Sequence, residues 1–254
     1  MKIPITMCHG TDPEDAFTPK KMPLDADRFN RYFAIAHELG FESITYNELA
    51  AWRSGEGALP PRPIMFDFDH ARKNIYHEIA PVMQSYGYTG NLFIFTEPVE
   101  GMYAGGLPPD DERVDLIWEE TRSLMEMGWL IGAHTHTHPN LSALSVEDPS
   151  GARIREELSI CDEILNRELG VVPTDFAFTG TSFSRQAEEE VAKRYRFGRL
   201  WIVGSEYEAD GGPPKAARYI TKDSHPYRLP SMEIQGLIYE FDAFRSYLEG
   251  ALDG

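Results

Sequence analysis

The sequence predicts an α/β protein folded as a distorted barrel of parallel strands, seven of them expected, covered by helices. Three observations lead there. Short apolar runs alternate with amphipathic helical stretches along the chain. Several of those runs end in acids, histidines or threonine, and the carboxyl ends of parallel strands are where such folds carry their sites. No repeat, low-complexity tract or linker divides the 254 residues, so one domain over 1–254 is expected.

The elements follow in order. Ile3–Cys8 reads as a strand. Asp25–Leu39 reads as a helix, with Phe29, Tyr32, Phe33 and Ala36 on one face and Gly40 as its stop. Ser43–Tyr46 is a short strand and Asn47–Arg53 a short helix. Pro60, Pro61 and Pro63 break the chain before the β-like run Ile64–Phe68. Arg72–Gln84 is helical, Asn91–Phe95 a strand and Asp110–Met127 a long helix. Trp129–Gly132 is a strand that leads into a histidine cluster. Gly151–Leu169 is a helix ending at Gly170, Asp175–Phe178 a strand, Arg185–Tyr195 a helix and Leu200–Val203 a strand. Glu206–Pro214 is a polar loop, and Phe241–Leu252 the last helix.

A net charge of −17 argues against a general nucleic-acid binder or a surface for anionic lipid. No apolar run approaches the ~20 residues of a membrane span. No secretory leader is seen at Met1–Met7, so a cytoplasmic location is expected. The two cysteines, Cys8 and Cys161, cannot form a disulfide framework, and Cys161 reads as a small core residue.

The chemistry concentrates in two segments. The first is Phe66-Asp67-Phe68-Asp69-His70. On a continuing strand, i and i+2 share a face, so both carboxylates would enter one pocket while Phe66 and Phe68 pack behind. Adjacent carboxylates repel unless a proton or cation intervenes. The plain alternative is a pair of acids capping the next helix. The second segment is His134-Thr135-His136-Thr137-His138. In a helical turn His134 and His138 face one side as a ligand pair and His136 turns away. In an extended segment all three would share a face. Two imidazoles and a carboxylate form a common set for a catalytic metal. Thr135 and Thr137 can bond the turn backbone.

These residues resemble the polysaccharide deacetylases, carbohydrate esterase family 4, also called NodB-homology proteins. Phe66-Asp67-Phe68-Asp69-His70 is similar to the family's Thr-Phe-Asp-Asp-Gly with one residue inserted, an Asp-x-Asp variant. His134–His138 with Pro139-Asn140-Leu141 meets the His-Ser/Thr-x-x-His motif in full. The likeness continues through Thr6–Gly10, Phe41–Ala50, Asn91–Phe95 and Arg153–Gly170, and spans about residues 3–205. The resemblance implies a metal held by Asp69, His134 and His138, with Asp67 as the base. It implies a divalent ion, zinc or another transition metal, and hydrolysis of an amide, with an N-acetylated amino sugar or saccharide as substrate. Departures accompany it. The third motif keeps only Gly180, without its arginine. Thr179 stands where a tyrosine usually lies, and its backbone N–H is the expected oxyanion donor. There is no Asp-x-x-Asp-Trp, so Trp201 reads as a core aromatic. After Leu200 the only histidine is His225, the first choice for general acid, with a plain loop histidine as the alternative. His9 and His70 are read as pocket-rim or substrate-binding residues, and His77 as surface. The expected partner is a small-molecule or oligosaccharide substrate. The alternatives are an allantoinase-like hydrolase of a small non-sugar amide, or an inactive carbohydrate-binding relative.

Overall fold

The computed structural model describes residues 1–12, 22–99, 116–180, 182–201 and 217–253. Its strands are β1 (Ile5–Cys8), β2 (Glu42–Ser43), β3 (Pro63–Asp69), β4 (Asn91–Ile94), β5 (Leu130–Ala133), β6 (Asp175–Ala177), β7 (Phe197–Arg199) and β8 (Met232–Glu233). All pairings between them are parallel. The main path runs β7-β6-β5-β4-β3-β1-β8, and β2 pairs off the path with β3. These seven path strands form the curled sheet that the alternating units predict.

The chain from Pro226 to Ile234 connects the two ends of that path. Gly198 N–H donates to Pro226 O at 2.9 Å and Leu200 N–H to Leu229 O at 2.9 Å, along β7. A few residues later Met232 lies opposite Thr6, and Ile234 N–H donates to Met7 O at 2.9 Å, along β1.

The helices are α1 (Ala26–Glu38), α2 (Tyr46–Ser54), α3 (Ala80–Ser85), α4 (Trp118–Glu126), α5 (Leu141–Glu147), α6 (Ala152–Leu169), α7 (Arg185–Ala192) and α8 (Phe241–Leu252). Asp25 caps α1 by accepting Arg28 N–H at 2.7 Å, and buries Phe29, Tyr32, Phe33 and Ala36 beneath it. A π-helical turn, Ile75–Ile79, precedes α3 within the stretch expected to be one helix. Pro81 lies at the start of α3, where it cannot donate to the turn before it.

Strand alternation divides the apolar residues into two bodies. Ile5, Met65, Phe93, Leu130, Ala177, Phe197 and Leu229 fill the barrel interior. Ile64, Phe66, Phe68, Leu92 and Ile131 face the helices. Phe66 meets Phe33 edge-on at 5.3 Å between centroids, and Phe68 meets Trp129 at 5.2 Å. Every residue of β3 is buried, so Asp67 and Asp69 stand on the inner face of a strand covered on both sides. Gly132 is required on that inner face. A Cβ there would come within 2.5 Å of the Phe93 ring, which occupies the space.

Two differences from the predicted elements have physical causes. The strand expected at Leu200–Val203 is found at Phe197–Arg199, where the chain bonds to β6 and to Leu229; residues 202–216, with the Glu206–Pro214 loop, lie outside the described residues. α5 was not foreseen. It is a short helix capped by Asn140, whose side chain accepts Ala143 N–H at 2.9 Å. Of the long helix expected at Asp110–Met127, the structure shows Trp118–Glu126, and residues 100–115 lie outside the described residues.

Candidate active site

The polar residues at the carboxyl ends of the strands form two layers. The lower layer holds Asp67, fully buried. Tyr46 O–H donates to its Oδ2 at 2.7 Å, Asn91 Nδ2 donates to Oδ1 at 3.1 Å, and Arg199 Nε is ion-paired with Oδ2 at 3.1 Å. Burial pushes the Asp67 carboxyl up to about 7, while Arg199 and Tyr46 pull it down. Arg199 is also fully buried. Desolvation works against its charge, but Asp69 and Asp67 more than offset that and hold its pKa up. Its guanidinium lies 5.3 Å over the Phe93 ring.

The upper layer holds Asp69, one inward position along β3. Its Oδ1 accepts from Arg199 Nη2. Arg199 thus bridges both aspartates, and the cation demanded by two neighbouring carboxylates is a protein side chain. No arginine was expected on the third-motif strand. The charge comes instead from the next strand, β7.

Beside Asp69 the rings of His70, His134 and His138 converge, with one ring nitrogen from each within 4.8 Å of the others. Burial lowers the pKa of all three, most for the inner pair His70 and His134. They are therefore neutral imidazoles near pH 7, the form that binds a metal. His134 Nδ1 lies 2.8 Å from Ala177 O, so Nδ1 carries the proton and Nε2 keeps its lone pair. Phe95 closes over the group, with centroids 4.8 Å from His70 and 5.2 Å from His138.

The local backbone is unusual. Among the described residues, the non-glycine positions with positive φ are His70 at 67°, Thr135 at 72° and His138 at 57°. Each left-handed residue costs about 1–2 kcal/mol, and such outliers cluster at functional sites. The geometry has a purpose at His70. On a regular strand it would point away from Asp69, and the left-handed turn lets both reach the mouth of the barrel. The 134–138 segment is a bend, not the helical turn expected. It is held by Thr135 Oγ1, which accepts His138 N–H at 3.1 Å, and by Glu157 of α6. Glu157 accepts the N–H groups of His136 at 3.0 Å and Thr137 at 2.8 Å, and the Thr137 hydroxyl at 2.7 Å.

Of the predicted site residues, all but His225 lie at this end of the barrel. His134 and His138 are brought together with His70, and Asp69 stands beside them with its Oδ1 turned to Arg199. Asp67, expected as base, is enclosed by the donors Tyr46 and Asn91 and the paired Arg199, a layer below the mouth. His136 faces away, with Nδ1 2.9 Å from Thr96 Oγ1. His9 lies at the rim, its ring 4.7 Å from His70; burial holds its pKa at about 4, against the pull of Asp69. Thr179 sits at the end of β6, where its hydroxyl donates to Pro139 O at 2.7 Å. His225 is not at the site. It is exposed near the amino ends of the strands, beside Tyr227 and next to Ser224, whose carbonyl accepts from Arg53 of α2 at 2.6 Å. His77 is ion-paired with Glu120 on the surface. Sequence reasoning missed Arg199 and Phe95. Arg199 follows Arg194 and Arg196 closely in the chain, and local sequence does not set it apart from them.

A parallel α/β barrel with carboxylates and imidazoles gathered at the carboxyl ends of its strands has the architecture of a barrel hydrolase. The chain belongs to the polysaccharide deacetylase family, whose pattern it matches over residues 56–197. Solved structures share its fold. The Streptococcus pyogenes deacetylase PplD, in complex with acetate, superposes with a TM-score of 0.72 at 16% identity, covering 100% of this chain and 99% of that one. A de-N-acetylase from Aggregatibacter actinomycetemcomitans gives 0.75 at 13% identity, covering 97% and 100%. IcaB from Ammonifex degensii gives 0.73 at 15% identity, covering 98% and 97%. No curated protein matches the chain. Among the described residues, no helix is long and apolar enough to cross a membrane.

Proposed function

We propose that the protein hydrolyses an amide, removing the N-acetyl group from an amino sugar within a saccharide, with a divalent metal held by His70, His134 and His138. The observation that carries this reading is the convergence of three neutral imidazoles beside a carboxylate–guanidinium pair, at the mouth of a polysaccharide-deacetylase barrel. The donor set fits a metal. His70 Nε2 and His138 Nε2 lie 3.2 Å apart, so a proton or a cation must stand between two lone pairs. Three nitrogen donors suit zinc and its neighbours better than magnesium or calcium. When bound, the ion acidifies water and polarises the acyl carbonyl.

The remaining work falls to the chain. Asp69 accepts the proton of the attacking water, and Arg199 fixes its carboxylate for that task. Asp67 does not touch substrate. With Tyr46 and Asn91 it holds the other side of the same guanidinium and sets where Asp69 points. The Thr179 backbone N–H is offered to the developing oxyanion. His9 and Phe95 wall the pocket beside the histidines. His70 takes the ligand place that the resemblance gives to an aspartate, and the protein's contribution to the metal is therefore neutral.

The test is acetate release from chitin oligomers of several lengths, assayed after chelation and after zinc is restored. Activity lost on chelation and regained with zinc supports the reading. Acetate release that persists unchanged in a protein stripped of metal overturns it.

A further inference from the structure

We infer that Glu233 is the proton donor to the departing amine, an inference that rests on amide hydrolysis at the histidine cluster. Hydrolysis of an amide needs such a donor, because an amine anion is too poor a leaving group to depart unaided. His225 cannot serve, being exposed at the other end of the strands.

The register places Glu233. Met7 of β1 lies opposite Asp67 on one side and opposite Glu233 on the other. Residues in register on neighbouring strands share a face. Asp67 points into the barrel, where it meets Arg199 and Asn91. Glu233 therefore points inward as well, from β8, which β1 alone separates from the strand that carries Asp69 and leads into His70. Its backbone is fixed on both sides, by Ile234 N–H on Met7 O at 2.9 Å and by Gly236 N–H on Glu233 O at 3.1 Å.

Its surroundings agree. Glu233 is half-buried. Burial, and then the charge of Asp69, raise its carboxyl above the ordinary range, while the Trp201 side chain works the other way. A carboxyl raised in this manner keeps its proton nearer to neutral pH, as a general acid must. The charge of Asp69 reaches Glu233 past the intervening β1, and the two carboxyls divide the proton transfers, one taking a proton and the other giving one.

The step balances as follows. The water oxygen bonds to the acyl carbon while its proton passes to Asp69. The C–N bond then breaks, nitrogen keeps the electron pair, and it takes the proton of Glu233. The products are the carboxylic acid and the amine. Glu233 regains a proton as Asp69 releases one, and one water has been consumed.

The experiment uses the full chain loaded with zinc. Wild type, Glu233→Gln and Glu233→His are compared on an N-acetylglucosamine oligomer and on 4-nitrophenyl acetate, whose phenolate leaves without a proton. Zinc content and circular dichroism establish that the variants are intact. Glu233→Gln should lower kcat on the amide by about 100- to 10,000-fold and change aryl-ester turnover less than about 10-fold. The alkaline fall of the wild-type amide rate should be displaced in Glu233→His. Equal losses on both substrates, or an intact Glu233→Gln with full amide activity and an unaltered pH profile, would overturn the assignment while leaving the hydrolase reading in place. A zinc-loaded wild type that cleaves the ester and no amide would instead overturn the amide reading, and this inference with it.

Discussion

His70 Nε2 and His138 Nε2 face each other at 3.2 Å although 68 residues separate them in the chain. Both residues carry positive φ, so the backbone is bent at each end to bring these two rings together. This pairing is the basis of the first prediction.

Metal loading should depend on His70. His70→Ala and His138→Ala should each lower zinc occupancy well below one ion per chain, measured by elemental analysis after dialysis. His70→Asp should retain zinc, because a carboxylate restores a three-donor set. Zinc at 100 times its Kd should stabilise the wild type by about 2.7 kcal/mol, and magnesium should not. A His70→Ala protein that binds zinc as tightly as wild type would remove His70 from the ligand set.

Arg199 should matter to the fold as much as to the chemistry. Arg199→Met leaves Asp67 and Asp69 buried side by side without their shared cation. Breaking a buried pair in this way costs about 3–5 kcal/mol, to be read from chemical denaturation. The double variant Arg199→Met/Asp67→Asn should recover part of that loss. Asp69→Asn should differ in kind: it should bind zinc and fold, yet lose about 100- to 10,000-fold in turnover.

Glu157 is distant in sequence from the histidine segment but accepts three hydrogen bonds from it. Glu157→Ala should weaken zinc affinity by about 10- to 100-fold, as expected when the groups that orient a ligand are lost. A competition titration with a chelator would measure it, and unchanged affinity would show that the segment holds its bend without Glu157.

Acid sensitivity can be isolated at His9. Its folded pKa, about 4, lies below the ordinary 6.5. The unfolded chain therefore takes up a proton in acid before the folded chain does. The stability associated with neutral His9 is complete above pH 6.5 and is lost as pH falls toward 4. Measured on metal-free protein, the stability of wild type relative to His9→Gln should drop by ~3 kcal/mol across that interval. A difference that is flat with pH would mean His9 titrates normally.

Much of this was readable from local pattern. The strand–helix alternation and the two polar strand ends are local in the chain, as is the His134/His138 pair. The inward pairing of Asp67 with Asp69 follows from the period of a strand, and Phe66 and Phe68 pack behind it as that period requires. What was not readable depends on partners far away. Arg199 meets Asp69 across 130 residues, and no spacing rule reports that contact. Which of Asp67 and Asp69 lies a layer deeper is set by where β3 ends. That end is a left-handed histidine, a conformation that L-residues seldom adopt and that no local propensity favours. Glu233 was invisible because β8 is two residues long and without an apolar run.

The closing segment has a consequence for synthesis. β8 follows β1 by more than 220 residues in the chain, yet it is one of the two neighbours of β1 in the sheet. Translation at roughly 5–20 residues per second leaves β1 with one edge unmatched for about ten seconds or more. During that interval the histidines, Asp69 and Arg199 can be assembled by β3 to β7, but the wall that carries Glu233 does not yet exist. A nascent chain stalled short of residue 232 would therefore hold the histidine cluster without β8, and the barrel would stay open along that edge of β1 until β8 was made.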